Sequence, residues 1–108
     1  MAIIAKAKLS LADEATFKAI VAIPVPGGRT AEVEWVFAWM SRDEAKEFMD
    51  TLSGSEDVDA LMKVSRGWDL DEQFGKAAVE KLTQKYIAAT RAVLDKFIAE
   101  LTGSRAKN

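Results

Sequence analysis

Apolar residues alternate with other types over two stretches of the chain: Phe17, Ala19, Val21 and Ile23 in the first, and Val33, Trp35, Phe37 and Trp39 in the second. A period of two belongs to a strand with one buried face, so the pair predicts a β-hairpin with arms at about 16–23 and 31–39. Between the arms lies Pro24-Val25-Pro26-Gly27-Gly28-Arg29-Thr30. Proline fixes φ there and glycine permits positive φ, which places the reversal near Gly27. On the other face Lys18 stands across from Glu32 and Glu34, where opposite charges support cross-strand pairing. Ile20 and Val36 share that face and are apolar. Either helices or another strand cover it, or it binds something.

The period then changes. Ser41-Arg42-Asp43-Glu44 reads as a capping box, in which the serine oxygen accepts the Glu44 amide and the glutamate reaches back to the serine amide. Ala45, Phe48, Met49 and Leu52 follow at helical spacing and predict a helix over 42–53, with Gly54 as a left-handed cap. A second helix is expected over 56–66, capped by Ser55, with Glu56 and Asp57 in its first turn and Val58, Leu61 and Met62 facing inward. Gly67 is then read as a left-handed residue after that helix. Trp68 folds back toward Met62 and Lys63, Asp69 faces solvent or pairs with Arg66, and Leu70 re-enters the core. In this reading Trp68 is either a packing wedge at the corner or a docking residue.

Beyond the polar connection 71–75, Val79, Leu82, Tyr86, Ile87, Leu94, Phe97, Ile98 and Leu101 recur near helical spacing. One helix over 76–101, or two over 76–85 and 87–101, satisfies them, and Thr102-Gly103 ends the pattern. The fold class is therefore α+β: an N-terminal hairpin followed by three or four helices. At 108 residues the chain fits a single domain. Residues 1–12 are expected to be a flexible arm or an extra strand, and 103–108 a short basic tail.

Composition narrows the chemistry more than the fold. The chain has no cysteine, which removes disulfides, thiolate nucleophiles and thiolate metal sites, and no histidine, which removes the commonest general base. Ser53, Ser55 and Ser65 thus have no base to activate them. Asp69, Asp71 and Glu72 cluster in one connection but lack the spacing of a calcium loop. No enzyme is expected, and no catalytic, cofactor-binding or metal-binding residue is assigned. A net charge of -2 disfavours a polyanion, so nucleic acid is not an expected partner. No apolar run approaches the roughly 18 residues of a membrane span, and the lysines after Ile3 and Ile4 reverse the order of a signal peptide, so a cytoplasmic protein is expected.

Several pieces fall in an order that resembles a family of small phage tail assembly chaperones. They are Phe17-Lys18-Ala19, Ile23-Pro24-Val25-Pro26-Gly27-Gly28, Val33-Glu34-Trp35-Val36-Phe37, Arg42-Asp43-Glu44, Gly67-Trp68-Asp69-Leu70, Tyr86 and the ending Glu100-Leu101-Thr102-Gly103-Ser104-Arg105-Ala106-Lys107-Asn108. The family tends to carry proline after the tyrosine matched by Tyr86, where this chain has Ile87. The resemblance implies a non-enzymatic protein, encoded by a long-tailed phage or a prophage, that binds the tape-measure protein and keeps it soluble in the bacterial cytoplasm. It implies absence from the mature virion, and contact with tail-tube protein through a frameshifted longer form. A homo-oligomer is compatible with an exposed hairpin edge. The candidate partner contacts are Ile20, Val36, Trp39 and Trp68. The competing readings are a structural tail protein of the virion, such as a tube or completion subunit, and a small regulatory adaptor.

Overall fold

A computed structural model describes residues 9, 11 and 15–103. The expected basic tail apart from Gly103, and the arm or strand expected over 1–12 apart from residues 9 and 11, lie outside the described residues. Two antiparallel strands open the fold, β1 (Thr16–Val25) and β2 (Arg29–Ala38), in a register that sets Phe17 opposite Phe37 and Val21 opposite Val33. The hairpin is thus two residues longer at its turn than the alternation alone indicates. Gly27 and Gly28 take φ of 100° and 74°, the left-handed values that close a three-residue connection. On the inner face Val21, Ile23, Val33, Trp35 and Phe37 are buried, and Trp39 lies one residue past the end of β2.

Helix α1 (Arg42–Leu52) begins at Ser41 with both halves of the capping box formed, Glu44 N–H donating to Ser41 Oγ and Ser41 N–H to Glu44 Oε1. These bonds hold the Glu44 carboxyl below its usual pKa. A carboxylate depressed in the folded state adds stability above its unfolded pKa and loses it as pH falls through the lower folded value. The start of α1 is therefore expected to loosen only in that acid window. Ser41→Ala should cost about 1 kcal/mol in urea unfolding at neutral pH. In the same experiment it should flatten the acid dependence contributed by this helix start.

The end of α1 differs from expectation. Gly54 is not left-handed; its N–H and that of Ser55 bond back to the carbonyls of Thr51 and Leu52, tightening the last turn. Ser55 does not cap the next helix, because its hydroxyl donates to Thr51 O. Helix α2 (Asp57–Val64) starts with no side-chain cap and stops earlier than its apolar spacing suggests. A third strand, β3 (Ser65–Trp68), takes over the residues expected to end α2 and pairs antiparallel with β2, giving the sheet order β1-β2-β3.

The reading of Gly67-Trp68-Asp69-Leu70 as a left-handed corner is thereby corrected. Gly67 has no positive φ and pairs with Val36 in the sheet. Trp68 does not fold back on α2; it meets Trp35 edge-on at 5.4 Å and Phe74 edge-on at 5.1 Å, and its indole N–H donates to Glu72 O at 2.7 Å. Asp69 turns to Glu34, accepting the Glu34 N–H at 3.0 Å and donating its own N–H to Glu34 O at 3.1 Å. Leu70 stays exposed. Arg66 is the extra residue at the register shift opposite Val36 and Phe37, and its guanidinium donates to the carbonyls of Met62, Lys63 and Ser65 at the end of α2.

The last segment is two helices, α3 (Lys76–Lys85) and α4 (Ala89–Thr102), with the break at 86–88 even without a proline there. Ile87 is 89% exposed in that break, so it is not a core position. Gly103, with φ 72°, closes α4 in a left-handed cap at the place where the helical pattern was expected to end. Helix α4 packs on β1 and α2, and α2 touches α3, β2 and β3. The core between them holds Trp35, Phe37, Leu61, Val64, Val79, Val93 and Phe97. Inside it the Trp35 indole N–H donates to the Ser65 hydroxyl at 2.8 Å, which gives the buried polar side chain at Ser65 a partner.

Candidate functional site

Four elements leave a groove of about 730 Å³ between them. Phe17 and Lys18 come from the start of β1, Trp39 and Met40 from the exit of β2, Ala45 and Met49 from α1, and Leu101 from the end of α4. Its position follows from the sequence at the strand exit. The Trp39 N–H still bonds Ala15 O at 3.0 Å, so the ladder holds the tryptophan backbone, and the Ser41 cap then turns the chain into α1. The indole is left at the lip, 49% exposed, with its edge against Phe17 at 5.6 Å. Phe17 is stacked on Phe37 at 5.3 Å, so the groove floor is continuous with the core.

Arg42, Ala45, Lys46 and Met49 recur at i, i+3, i+4 and i+7 and bring one side of α1 to the groove, whereas Phe48 points into the core. Met49 belongs to the apolar stripe of α1 yet is 46% exposed, because among the described residues no element covers that side. The apolar floor carries a half-exposed tryptophan and methionine, side chains that present large area, and methionine adapts to varied neighbours. The rim is basic. Among the described residues no carboxylate lies within ion-pair distance of Arg42 or Lys46, Lys18 reaches Glu34 only at 4.0 Å, and Glu100 is engaged by Lys96 at 3.3 Å. In a chain of net charge -2 this is a local excess of positive charge.

The four candidate contacts are not brought together. Trp39 lies in the groove. Ile20 sits on the opposite, open face of the hairpin, 48% exposed beside Lys18, Ala22 and Glu34. Among the described residues no helix covers that face, and β3 reaches only Val36, which is half-buried. Trp68 is half-buried between Trp35 and Phe74 at the far edge of the sheet. Met49 is not among those four contacts, and neither are Arg42 and Lys46. The usable signal was there in the i, i+4 pairing of a methionine with Ala45 on a helix whose buried side needs only Phe48. The acidic connection serves the fold instead: Asp69 clamps Glu34, and Glu72 pairs with Lys81 at 3.0 Å. Among the described residues no cluster of acidic side chains could hold a metal ion, and no helix is long and apolar enough to cross a membrane.

Comparison with known proteins agrees in one respect and is empty in two. A family model described as phage tail assembly chaperone matches residues 4–108. No curated protein and no solved structure matches the chain.

Proposed function

The chain belongs to the phage tail assembly chaperone family, and from that premise we propose that it binds the tape-measure protein of a long-tailed phage or prophage and keeps it soluble while the tail is built. A tape measure is a long helical protein with apolar faces that need cover until tube subunits enclose them. The groove lined by Trp39, Met49, Phe17 and Leu101 offers such cover, and it is the observation that carries this reading. Its apolar lining suits the apolar side of a helix, and its methionines suit many different segments rather than one.

In this proposal the protein acts by binding, without catalysis, in the cytoplasm of the bacterial host, and leaves before the virion is complete. Trp39 is the principal contact, with Ile20, Val36 and Trp68 secondary to it. A longer frameshifted product would add recruitment of tail-tube protein. Co-expression tests the reading directly: the tape-measure protein should stay in the soluble fraction with this chain present and precipitate without it. Equal precipitation in both cases would sink the proposal. Abundant copies of the chain in purified virions, seen by mass spectrometry, would instead mark it as a structural tail component.

A further inference from the structure

From Lys76 to Thr102 the chain has no glycine and no proline, yet it bends between α3 and α4. Little in the local sequence calls for a boundary there. Tyr86 ends α3 in an extended conformation, φ -120° and ψ 94°, and α4 starts after Ala88 with no side-chain cap and no acidic residue in its first turn. Among the described residues no backbone carbonyl accepts from the N–H groups of Ile87, Ala88, Thr90 and Arg91. Ile87 is 89% exposed, so its own packing does not fix the bend.

What holds the bend is tertiary. Tyr86 packs against the core, Ala89, Val93 and Phe97 are buried, and the Thr90 hydroxyl donates to Asp57 Oδ2 at 3.0 Å, which ties the start of α4 to the start of α2. A helix run straight through 86–88 gives the free amides their i-4 carbonyls, but it carries α4 away from β1 and α2 of its own chain. Val93 and Phe97 then need an equivalent surface. The surface that fits them is the one a second copy vacates by straightening in the same way.

We propose that 76–102 has a second, straight form in which two copies exchange α4, each laying it on β1 and α2 of the other. Every contact of α4 is remade between the copies, the Thr90–Asp57 bond included, and the amides at the bend gain helical partners. The occupant of the vacated surface is the helix that the surface already holds. Leu101 lines the Trp39 groove, so each groove is completed by the other copy's α4. The cost of the exchange is the association of two chains, so the straight form grows with concentration. It does not depend on the function proposed above.

Position 87 tests this in the full chain. Ile87→Pro suits the bent form, where the residue is exposed, its N–H meets no backbone carbonyl among the described residues and Tyr86 before it is already extended. In a straight helix the same proline loses a hydrogen bond and clashes with the carbonyl of Thr83. Ile87→Ala favours the straight form, alanine being the better helix former. Refolded from urea at high concentration, the unmodified chain should leave a dimer fraction in sedimentation that outlasts dilution, since α4 must leave the core before two copies part. Ile87→Ala should raise that fraction, and Ile87→Pro, with its circular dichroism unchanged, should lower it about tenfold or more. A chain that refolds only to monomer, a dimer that separates at once on dilution, or equal dimer fractions in Ile87→Pro and the unmodified chain would each overturn the proposal. If Ile87→Pro does not fold, Ile87→Ala decides, and a dimer fraction that it leaves unraised overturns the proposal as well.

Discussion

Trp35→Ala is expected to be the most damaging single substitution in the chain, costing about 3–5 kcal/mol. The indole is fully buried, lies against Phe37 and Trp68, and donates the buried hydrogen bond to Ser65. Its removal opens a cavity where β2, β3 and α2 meet. A domain of this size commonly holds only about 5–15 kcal/mol in all, so much of the folded margin would go. Trp35→Phe separates the parts of the effect, since it keeps much of the ring volume and deletes the N–H that reaches Ser65. Its cost should be clearly smaller, and in urea denaturation the midpoints should fall in the order unmodified chain, Trp35→Phe, Trp35→Ala. Equal midpoints for Phe and Ala would mean that the hydrogen bond, rather than the filled volume, is what matters.

The same residue shows why part of the fold could be read from the sequence and part could not. Trp35 stands in a ten-residue strand whose alternation reports a buried face directly, and the hairpin was legible for that reason. So was α1, because the Ser41–Glu44 box is a local device whose partners lie three residues apart. Strand β3 has no such signal. Ser65-Arg66-Gly67-Trp68 lacks alternation and includes poor strand formers, and what holds it is distant in sequence: the Trp35–Ser65 bond, the Glu34–Asp69 clamp and the Trp35–Trp68 ring contact. Tertiary partners chose a strand where local chemistry favoured a helix cap.

The groove was half legible for a related reason. Trp39 reads as an inward strand residue by parity, yet Ala38 is the last residue of β2, and a position one step past a strand end can be at the lip of a core without being in it. Met49 reads as core by spacing, but spacing names a side of the helix and does not say how much of that side another element covers. Among the described residues both surfaces stay open past the end of α4 at Thr102, where Leu101 lines the groove. Their exposure is a property of how the elements end.

On the proposed function, Trp39→Ala is expected to leave the fold standing and to lose the tape-measure protein. The side chain is 49% exposed and among the described residues its ring meets only Phe17, so the stability cost should be about 1 kcal/mol. A tryptophan that anchors a docking surface is commonly worth about 2 kcal/mol or more, which is a loss of roughly 30-fold in affinity. In co-expression the tape-measure protein should move largely to the pellet, while the variant itself stays soluble with an unchanged circular dichroism spectrum. Charge gives an independent arm. Lys46→Glu reverses the unpaired rim charge without touching the apolar floor, so it should weaken binding of segments with acidic flanks in a salt-dependent way, whereas the Trp39→Ala loss should be nearly insensitive to salt. Full retention of the tape-measure protein by Trp39→Ala would move the contact surface away from this groove, and a salt-dependent loss for both variants would make the rim, rather than the indole, the principal contact.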